Sequence, residues 1–476
     1  MAAQKIEAAA NPPQVDDDEL PVGWAEPSLA FVTERIASVK PEAEPTRDFG
    51  YVDISGIDKR RATVTAGEVR RFKGADAPSR ARRPIRPNDI LFSNVRTNLR
   101  NVAMVASDLP AQLCSTGFTV LRSTPAILPE YLLRWVLTDE FTDAISETQT
   151  GTHYPATSDA QVLARTVRLA PFAEQKRIVA KVEALLAHVN AARDRLARVP
   201  AILKRFRQSV LAAGCSGRLT RDWRGQGVPE TWQETTLGAL AKLVTSGSRD
   251  WSRYYGRGNG TFIMAQNVRP LQLDLSYRQA VDPPRGDRDR ARSQVESGDL
   301  LVTIVGANTG DVCRVPAPLP EHFVCQSVAL IRPVLPEASP YLELFMNSLE
   351  HGRGQLLEYA YGEGRPHLSF DQLREAPILL PPLSEQGEIV RRAEALFRLA
   401  DAIDARVAAG TARADRLTQS ILAKAFRGEL VPQDPNDEPA LVMIQRVQAD
   451  RVSECRNPGS PRIRRRSHAQ RESRTP

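Results

Sequence analysis

The stretch APFAEQKRIVAKVEALL at residues 170–186 returns as PPLSEQGEIVRRAEALF at residues 381–397. Glu174-Gln175 falls on Glu385-Gln386, Ile178-Val179 on Ile389-Val390 and Glu183 on Glu394, all at one displacement (385 − 174 = 211). The same displacement carries Gln208–Ala212 onto Gln419–Ala423, Gly217 onto Gly428, and Gly151 and Pro155 onto Gly362 and Pro366. Further upstream PNDILFSNVRTNLRNVAMV (87–105) resembles SGDLLVTIVGANTGDVCRV (297–315) in outline, and Tyr131 stands against Tyr341. Each copy opens on a Pro-and-Trp phrase, LPVGW ending at Trp24 and VPETW ending at Trp232. The chain is built twice, as globular part, helix, globular part, helix.

The helices follow from spacing. Apolar or small residues fall at Ile178, Val182, Leu185, Val189, Ala192, Leu196, Val199, Leu203, Phe206 and Val210. The second copy gives Ile389, Ala393, Leu396, Ala400, Ile403, Val407, Gly410, Ala414, Leu417 and Ile421. Steps of four and three held this long are a coiled-coil seam, because an ordinary packed helix drifts off a 3.5-residue period. Unbroken, each segment would run roughly 60 Å. Glu174 and Glu385 place negative charge in the first turns, and Gly217 and Gly428 suit the exits. Pro200, and the AAGTA phrase around Gly410 in the second copy, predict a kink or break in both helices. Two matching seams in one chain pack most simply against each other, and an antiparallel pair relates the copies by a pseudo-twofold axis. A plain spacer or dimerisation zipper has the same pattern.

The globular parts mix α and β. FGYVDIS, DILFSNV, GFTVLRS, GTFIMAQNV, DLLVTIV and SVALIRP read as strands, and PEYLLRWVLTDEFTDAIS and PYLELFMNSLEHGRGQLLEY as amphipathic helical segments. The expected fold is therefore mixed α/β, with two globular domains separated by two long antiparallel coiled-coil helices. The boundaries are an unfolded N-terminus 1–19, a first domain 20–171, a helix 172–216, a linker 217–227, a second domain 228–382, a helix 383–428 and a tail 429–476 with a disordered basic end.

At 476 residues the chain exceeds a single core, and 42% hydrophobic with 25% charged residues is the balance of a soluble globular protein. No apolar run spans a bilayer, so no membrane association is expected. Cys114, Cys215, Cys313, Cys325 and Cys455 have neither disulfide nor metal spacing and read as reduced thiols of a cytoplasmic protein. The formal net charge is +7. Part of it sits in RIRRRSHAQRESR near the C-terminus. A denser run from Lys59 to Arg100 carries Lys59, Arg60, Arg61, Arg70, Arg71, Lys73, Arg80, Arg82, Arg83, Arg86, Arg96 and Arg100 against Glu68, Asp76 and Asp89. Such a run is either a solvated face or a phosphate-binding surface.

Catalytic signatures are missing. NPPQ at Asn11 and DPPR at Asp282 lack the aromatic residue of the amino-methyltransferase motif, and no glycine-rich methyl-donor loop accompanies them. GRGNG at Gly256–Gly260 lacks the Lys and hydroxyl residue of a Walker loop. The histidines, His153 and His367 among them, show no metal-ligand spacing. NPPQ and DPPR read as loop punctuation.

The duplicated helix opening on Pro-Pro-Leu-x-Glu-Gln, together with YVDISGID, PSRARRPIRPNDILFSNVRTNLRN, GFTVLR, GTHYPATSD, TSGSRDWSRYY, FIMAQNV and GDLLVTIVGANTG, resembles the specificity subunits of type I restriction-modification systems. The likeness runs from about Leu20 to Pro432; APFAEQ is only a half-match to the helix opening. It implies two target recognition domains, each reading part of a split double-stranded DNA site, and a pair of helices acting as ruler and dock. The implied partners are two modification subunits and two motor-nuclease restriction subunits. No cofactor is expected on this chain; S-adenosylmethionine, ATP and Mg²⁺ belong to those partners. No catalytic residue and no metal ligand is expected. The candidate DNA-binding residues are Arg80, Arg82, Arg83, Arg96, Asn98, Arg100, Thr152, His153 and Tyr154 in the first domain. In the second they are Ser248, Arg249, Trp251, Arg253, Tyr254, Tyr255, Asn267, Asn308 and Arg365, the three aromatics reading equally well as core. The other readings are a recognition subunit of a methylation-only or related phage-defence system, a self-contained methyltransferase, and a coiled-coil scaffold without DNA specificity.

Overall fold

In the computed structural model, residues 20–149, 155–224, 232–248, 250–319, 321–362, 364 and 366–456 are described. The segments 1–19 and 457–476, both expected to be unfolded, lie outside the described residues. The chain divides into two compact units, one of residues 1–194 with 411–476 and one of residues 195–410.

The strands of the first unit are β1 (Asp48–Val52), β2 (Ile57–Asp58), β3 (Thr63–Val64), β4 (Arg70–Lys73), β5 (Ala81–Pro84), β6 (Ile90–Ser93), β7 (Val102–Met104), β8 (Leu113–Ser115) and β9 (Phe118–Leu121). They build one sheet in the order β4-β1-β8-β5 and another in the order β2-β3-β7-β6-β9. Every residue of β6 is buried, as a continuous apolar run requires of a strand covered on both faces. Its alternate side chains serve different cores. Ile90 and Phe92 pack with Tyr131, Trp135 and Phe141, while Leu91 packs with Val52, Val105 and Phe118. The expected single helical segment after β9 is two helices, Pro129–Val136 and Asp139–Ser146. They part at Thr138, whose hydroxyl caps the second by accepting from the Phe141 N–H at 3.1 Å.

The second unit contains β10 (Gln233–Thr236), β11 (Ala241–Ser246), β12 (Tyr255–Ile263), β13 (Val268–Arg269), β14 (Gln272–Leu273), β15 (Gln279–Val281), β16 (Leu300–Thr303), β17 (Val312–Arg314), β18 (His322–Val324), β19 (Val328–Pro333) and β20 (Pro377–Leu380). Its larger sheets run β11-β19-β16-β17 and β15-β12-β18.

The first long helix is two helices, Phe172–Leu196 and Val199–Cys215; the second is unbroken from Leu383 to Phe426. The break expected at Pro200 is there, one turn early. Pro200 sits in the first turn of the new helix, where a missing N–H leaves no carbonyl unpaired. The break expected near Gly410 is absent. A glycine inside a helix costs only about 1 kcal/mol and keeps its N–H.

Within the second unit the two helical stretches run antiparallel. Leu196 meets Gly410, Arg207 pairs with Asp404 at 2.8 Å and Asp401 at 2.7 Å, and Gly214 meets Ile389. In the first unit Ile178, Val182, Leu186 and Val189 share one core with Ala414, Ile421, Leu422 and Phe426, and Arg193 pairs with Asp415 at 2.5 Å. The seam read from sequence fails at Leu417, which is 48% exposed. Beyond Ala414 the buried face turns so that Phe426 lies 5.0 Å, ring to ring, from both Tyr131 and Trp135. There the helix packs on the globular part, and that contact fixes the face it buries.

The repeat extends to individual hydrogen bonds. The Trp24 indole donates to Glu174 at 3.1 Å and the Trp232 indole to Glu385 at 2.9 Å. The Tyr131 hydroxyl donates to the Arg168 carbonyl and the Tyr341 hydroxyl to the Leu379 carbonyl, each at 2.7 Å. Gln419 receives the Asp139 N–H at 3.0 Å and donates to the Leu137 carbonyl at 3.2 Å. Gln208 receives the Leu349 N–H at 3.0 Å and donates to the Asn347 carbonyl at 3.3 Å. Each unit thus grips the end of a globular helix with a glutamine from the second half of a long helix.

Two expectations about the connections are corrected. Residues 218–224, read as linker, form a turn and a short helix whose Arg224 is ion-paired with Glu385, both side chains buried. Within the expected tail, Ala440–Arg456 is a helix. Its Ala440, Ile444 and Val447 enter the first core, its Ala440 N–H donates to the Gly23 carbonyl at 2.8 Å, and Arg451 donates to the Thr33 carbonyl at 2.6 Å. These three form an apolar stripe at spacings of four and three. Among the described residues no helix is long and apolar enough to cross a membrane.

Candidate nucleic-acid interface

The basic run of the first unit separates into bound and exposed groups. Arg82 pairs with Glu42 at 2.5 Å, Arg83 with Asp159 and Arg100 with Asp139. Asp159 also accepts from Asn94 at 3.1 Å and Thr119 at 2.8 Å, so Arg83 closes a partly buried network and is committed to structure. Arg70, Arg71 and Lys73 are exposed on β4, which lies at the edge of its sheet. Lys59, Arg60 and Arg61 are exposed in the turn between β2 and β3, where the Asp58 carboxylate receives the N–H of Arg60 at 3.0 Å and of Arg61 at 3.2 Å. Arg80 and Arg86 are exposed too. Arg83, Arg86, Arg35 and Arg451 line a cleft of about 1350 Å³ with Asp159 and Thr119.

After β6 the chain makes a turn that is repeated after β16. Arg96 (φ +49) and Arg100 (φ +52) bracket the first, with Thr97, Asn98 and Leu99 between them. The Arg96 N–H donates to the Pro155 carbonyl at 2.9 Å. Gly306 (φ +110) and Gly310 (φ +86) bracket the second, and the Gly306 N–H donates to the Pro366 carbonyl at 3.1 Å. Glycine takes the left-handed region without strain; arginine pays about 1 kcal/mol or more for each such residue. The first unit therefore holds two cationic side chains on strained backbone where the second keeps only the turn. Asn98, exposed, and Asn308, half-buried, occupy the same place in the two turns.

The turn after β6 is braced from below. The Thr97 hydroxyl lies 3.1 Å from that of Ser146 and accepts from the Gln149 amide at 2.7 Å. Beside it the Thr157 N–H donates to the Asn94 carbonyl at 2.8 Å. Thr152, His153 and Tyr154, and in the second unit Arg249 and Arg365, lie outside the described residues. The turns do bring Arg96 to Pro155, and Gly306 and Thr309 to Pro366.

Trp251, Asn267 and Ser248 of the second unit are core. Trp251 is 2% exposed, packed 5.8 Å from the Phe262 ring and 5.6 Å from that of Phe323. Asn267 is 1% exposed; it accepts from the Met264 N–H at 2.9 Å and donates to the carbonyls of Asp274 at 2.7 Å and Tyr277 at 2.8 Å. Its amide is spent on stapling a turn, and no atom is left for a base edge. Ser248 is buried as well. Arg253 is exposed and lies over the Tyr254 ring at 4.8 Å, and exposed Tyr255 lies 5.5 Å from Phe262.

No group of three or more His, Cys, Asp or Glu suited to a metal occurs among the described residues. Burial pushes the Cys114, Cys313 and Cys325 thiols up and Cys215 up to about 12, far from the thiolate that nucleophilic chemistry needs.

Residues 291–408 match the family model of the type I restriction modification DNA specificity domain. The chain is 28% identical to the EcoKI specificity subunit of Escherichia coli K12, over 91% of this chain and 97% of that one. It is 29% identical to the StySPI specificity subunit of Salmonella potsdam, over 91% and 96%. Among solved structures it is similar to a chain from a study of complex assembly and conformational transition in a type I R-M system, with a TM-score of 0.70, 29% identity and coverage of 86% and 99%. The HsdS subunit of Thermoanaerobacter tengcongensis is similar at a TM-score of 0.50 and 29% identity, over 86% and 98%.

Proposed function

We propose that the chain is a specificity subunit of a type I restriction-modification system, as its likeness to such subunits supports, and that it reads a split, asymmetric DNA site, one block for each unit. The observation that carries this reading is the repeated turn: one scaffold, anchored on Pro155 and on Pro366, presents Arg96-Thr97-Asn98-Leu99-Arg100 in one unit and Gly306-Ala307-Asn308-Thr309-Gly310 in the other. Equal scaffolds with unlike side chains recognise unlike blocks.

Lysine and arginine bind phosphate and fix register, while a few side chains meet base edges. In the first unit Arg80, Arg86 and the exposed residues of β4 and of the β2–β3 turn serve phosphate; Arg96 and Asn98 serve bases. Arginine makes paired bonds to guanine and asparagine to adenine in the major groove. The long helices act as spacer and as dock for two modification subunits, and two restriction subunits complete the assembly. This chain is non-catalytic; methyl transfer with S-adenosylmethionine and translocation and cleavage with ATP and Mg²⁺ are the partners' work. The unbroken helix Leu383–Phe426, which contributes residues to both units, supports the spacer role.

The test is to map methylated adenines genome-wide in cells carrying the partner subunits, with and without this gene. A gene-dependent motif of two unlike blocks flanking an unread gap is expected. One continuous block, or a palindrome, would overturn the proposal.

A further inference from the structure

GRGNG and DPPR, which carry no catalytic chemistry, lie side by side in the second unit. Tyr255 and Gly260 both pair with Val281, so residues 256–259 are looped out of the β12–β15 ladder. A bulge of this kind breaks the ladder and re-aims side chains. Gly256 (φ +73) and Gly258 (φ +70) hold the backbone in the left-handed region. A Cβ on Gly258 would stand 2.6 Å from the Asp282 Cβ, so the loop approaches the Asp282–Gly286 turn as closely as glycine allows. Arg257, Asn259 and, in the adjoining turn, Arg285 are all exposed.

Apart from exposed Arg288, the arginines of the surrounding strands and turns have other work. Arg290, Arg292, Arg314, Arg332 and Arg353 are each paired with a carboxylate. Arg269 and Arg278 donate to backbone carbonyls. The side chains of Arg257 and Arg285 have no hydrogen bond, ion pair or ring partner among the described residues. Two uncommitted guanidiniums and an exposed amide thus share neighbouring loops on one sheet margin, next to exposed Tyr255. A solvated face does not need its arginine between two glycines in the left-handed region, where other residues are strained. A groove reader does, because the finger must be narrow and its backbone must come close to the duplex.

We infer that the Gly256–Asn259 bulge is the reading finger of the second unit. Arg257 and Asn259 meet base edges and Arg285 holds the adjoining phosphate. The inference rests on the recognition function proposed above and replaces Trp251 and Asn267, which the core retains, with residues the core leaves free.

The test uses the complete complex with the duplex motif obtained from methylation mapping, and with duplexes in which either block is scrambled. Arg257→Ala should reduce discrimination against a scrambled second block about tenfold or more, with discrimination at the first block unchanged. Arg285→Ala should leave discrimination intact and lower the salt dependence of binding, log Kd against log salt, by about one. Arg257→Lys, which keeps the charge but loses the paired bonds, should behave like Arg257→Ala in discrimination and like wild type in salt slope. An Arg257→Ala complex that discriminates against both scrambled duplexes as wild type does overturns the inference, as does equal loss at both blocks. If the unaltered complex itself ignores scrambling, the recognition reading falls instead.

Discussion

Glu174 and Glu385 occupy equivalent places and differ in what surrounds them. Glu385 accepts from the Trp232 indole, the Thr220 hydroxyl at 2.8 Å and the Arg224 guanidinium. Glu174 accepts from Trp24, and its other carboxylate oxygen is buried without a partner. Burial accordingly pushes the Glu174 carboxyl above its ordinary value of 4.5. A raised folded value means that the protonated form stabilises the fold, fully below the unfolded value, and that this contribution fades as pH rises through the folded one. Glu174→Gln should therefore stabilise the first unit at neutral pH, and its advantage should shrink as pH falls towards about 4. Glu385→Gln should cost the second unit about 3 kcal/mol, because it leaves the Arg224 charge buried without its counter-charge. Denaturant unfolding of the full chain across this pH range, followed by hydrogen exchange in the two long helices, measures both. A Glu174→Gln advantage that grows on acidification would contradict the assignment.

At the scale of elements, the long helices show what periodicity can and cannot predict. The seam positions Ile178, Val182, Ile389 and Ala393 are buried as spaced, since helix meets helix there. Leu417 departs because its stretch packs on Tyr131 and Trp135, residues nearly 300 positions away in sequence that no local period can register. Proline and glycine also weigh differently by position. Pro200 at a helix start is harmless, and Gly410 is a weak point inside an intact helix. A Cβ at Gly410 would meet the end of the half-buried Leu196 side chain at 3.2 Å, and that flexible tip can yield. Gly410→Ala should thus stabilise the second unit by about 0.5–1 kcal/mol, while Pro200→Ala should change stability by less than about 1 kcal/mol without fusing the two helices. Thermal unfolding and helical circular dichroism read the two outcomes. The strands β1, β6, β9, β12, β16 and β19 were legible from apolar runs, whereas polar strands such as β4 and β10 were not. Nor was the Ala440–Arg456 helix, because its apolar stripe is short. Trp251 and Asn267 were plausible DNA contacts by residue type alone; Trp251 is buried against Phe323, far along the chain, and Asn267 is spent on the local turn it staples, from Met264 to Tyr277.

For the whole molecule, the repeated hydrogen bonds define two units with one construction and different surfaces. Each glutamine clamp, Gln419 on Leu137 and Asp139 and Gln208 on Asn347 and Leu349, lies within its own unit. Each unit therefore keeps its recognition part on its own pair of helical stretches, and recognition should divide in the same way. The most direct measurement replaces residues 232–382 with the corresponding segment of the Escherichia coli K12 relative and maps methylated adenines in cells carrying the partner subunits. The account predicts that one block of the motif changes while the other block and the gap length stay as they were. A motif in which both blocks change, or neither does, would contradict it.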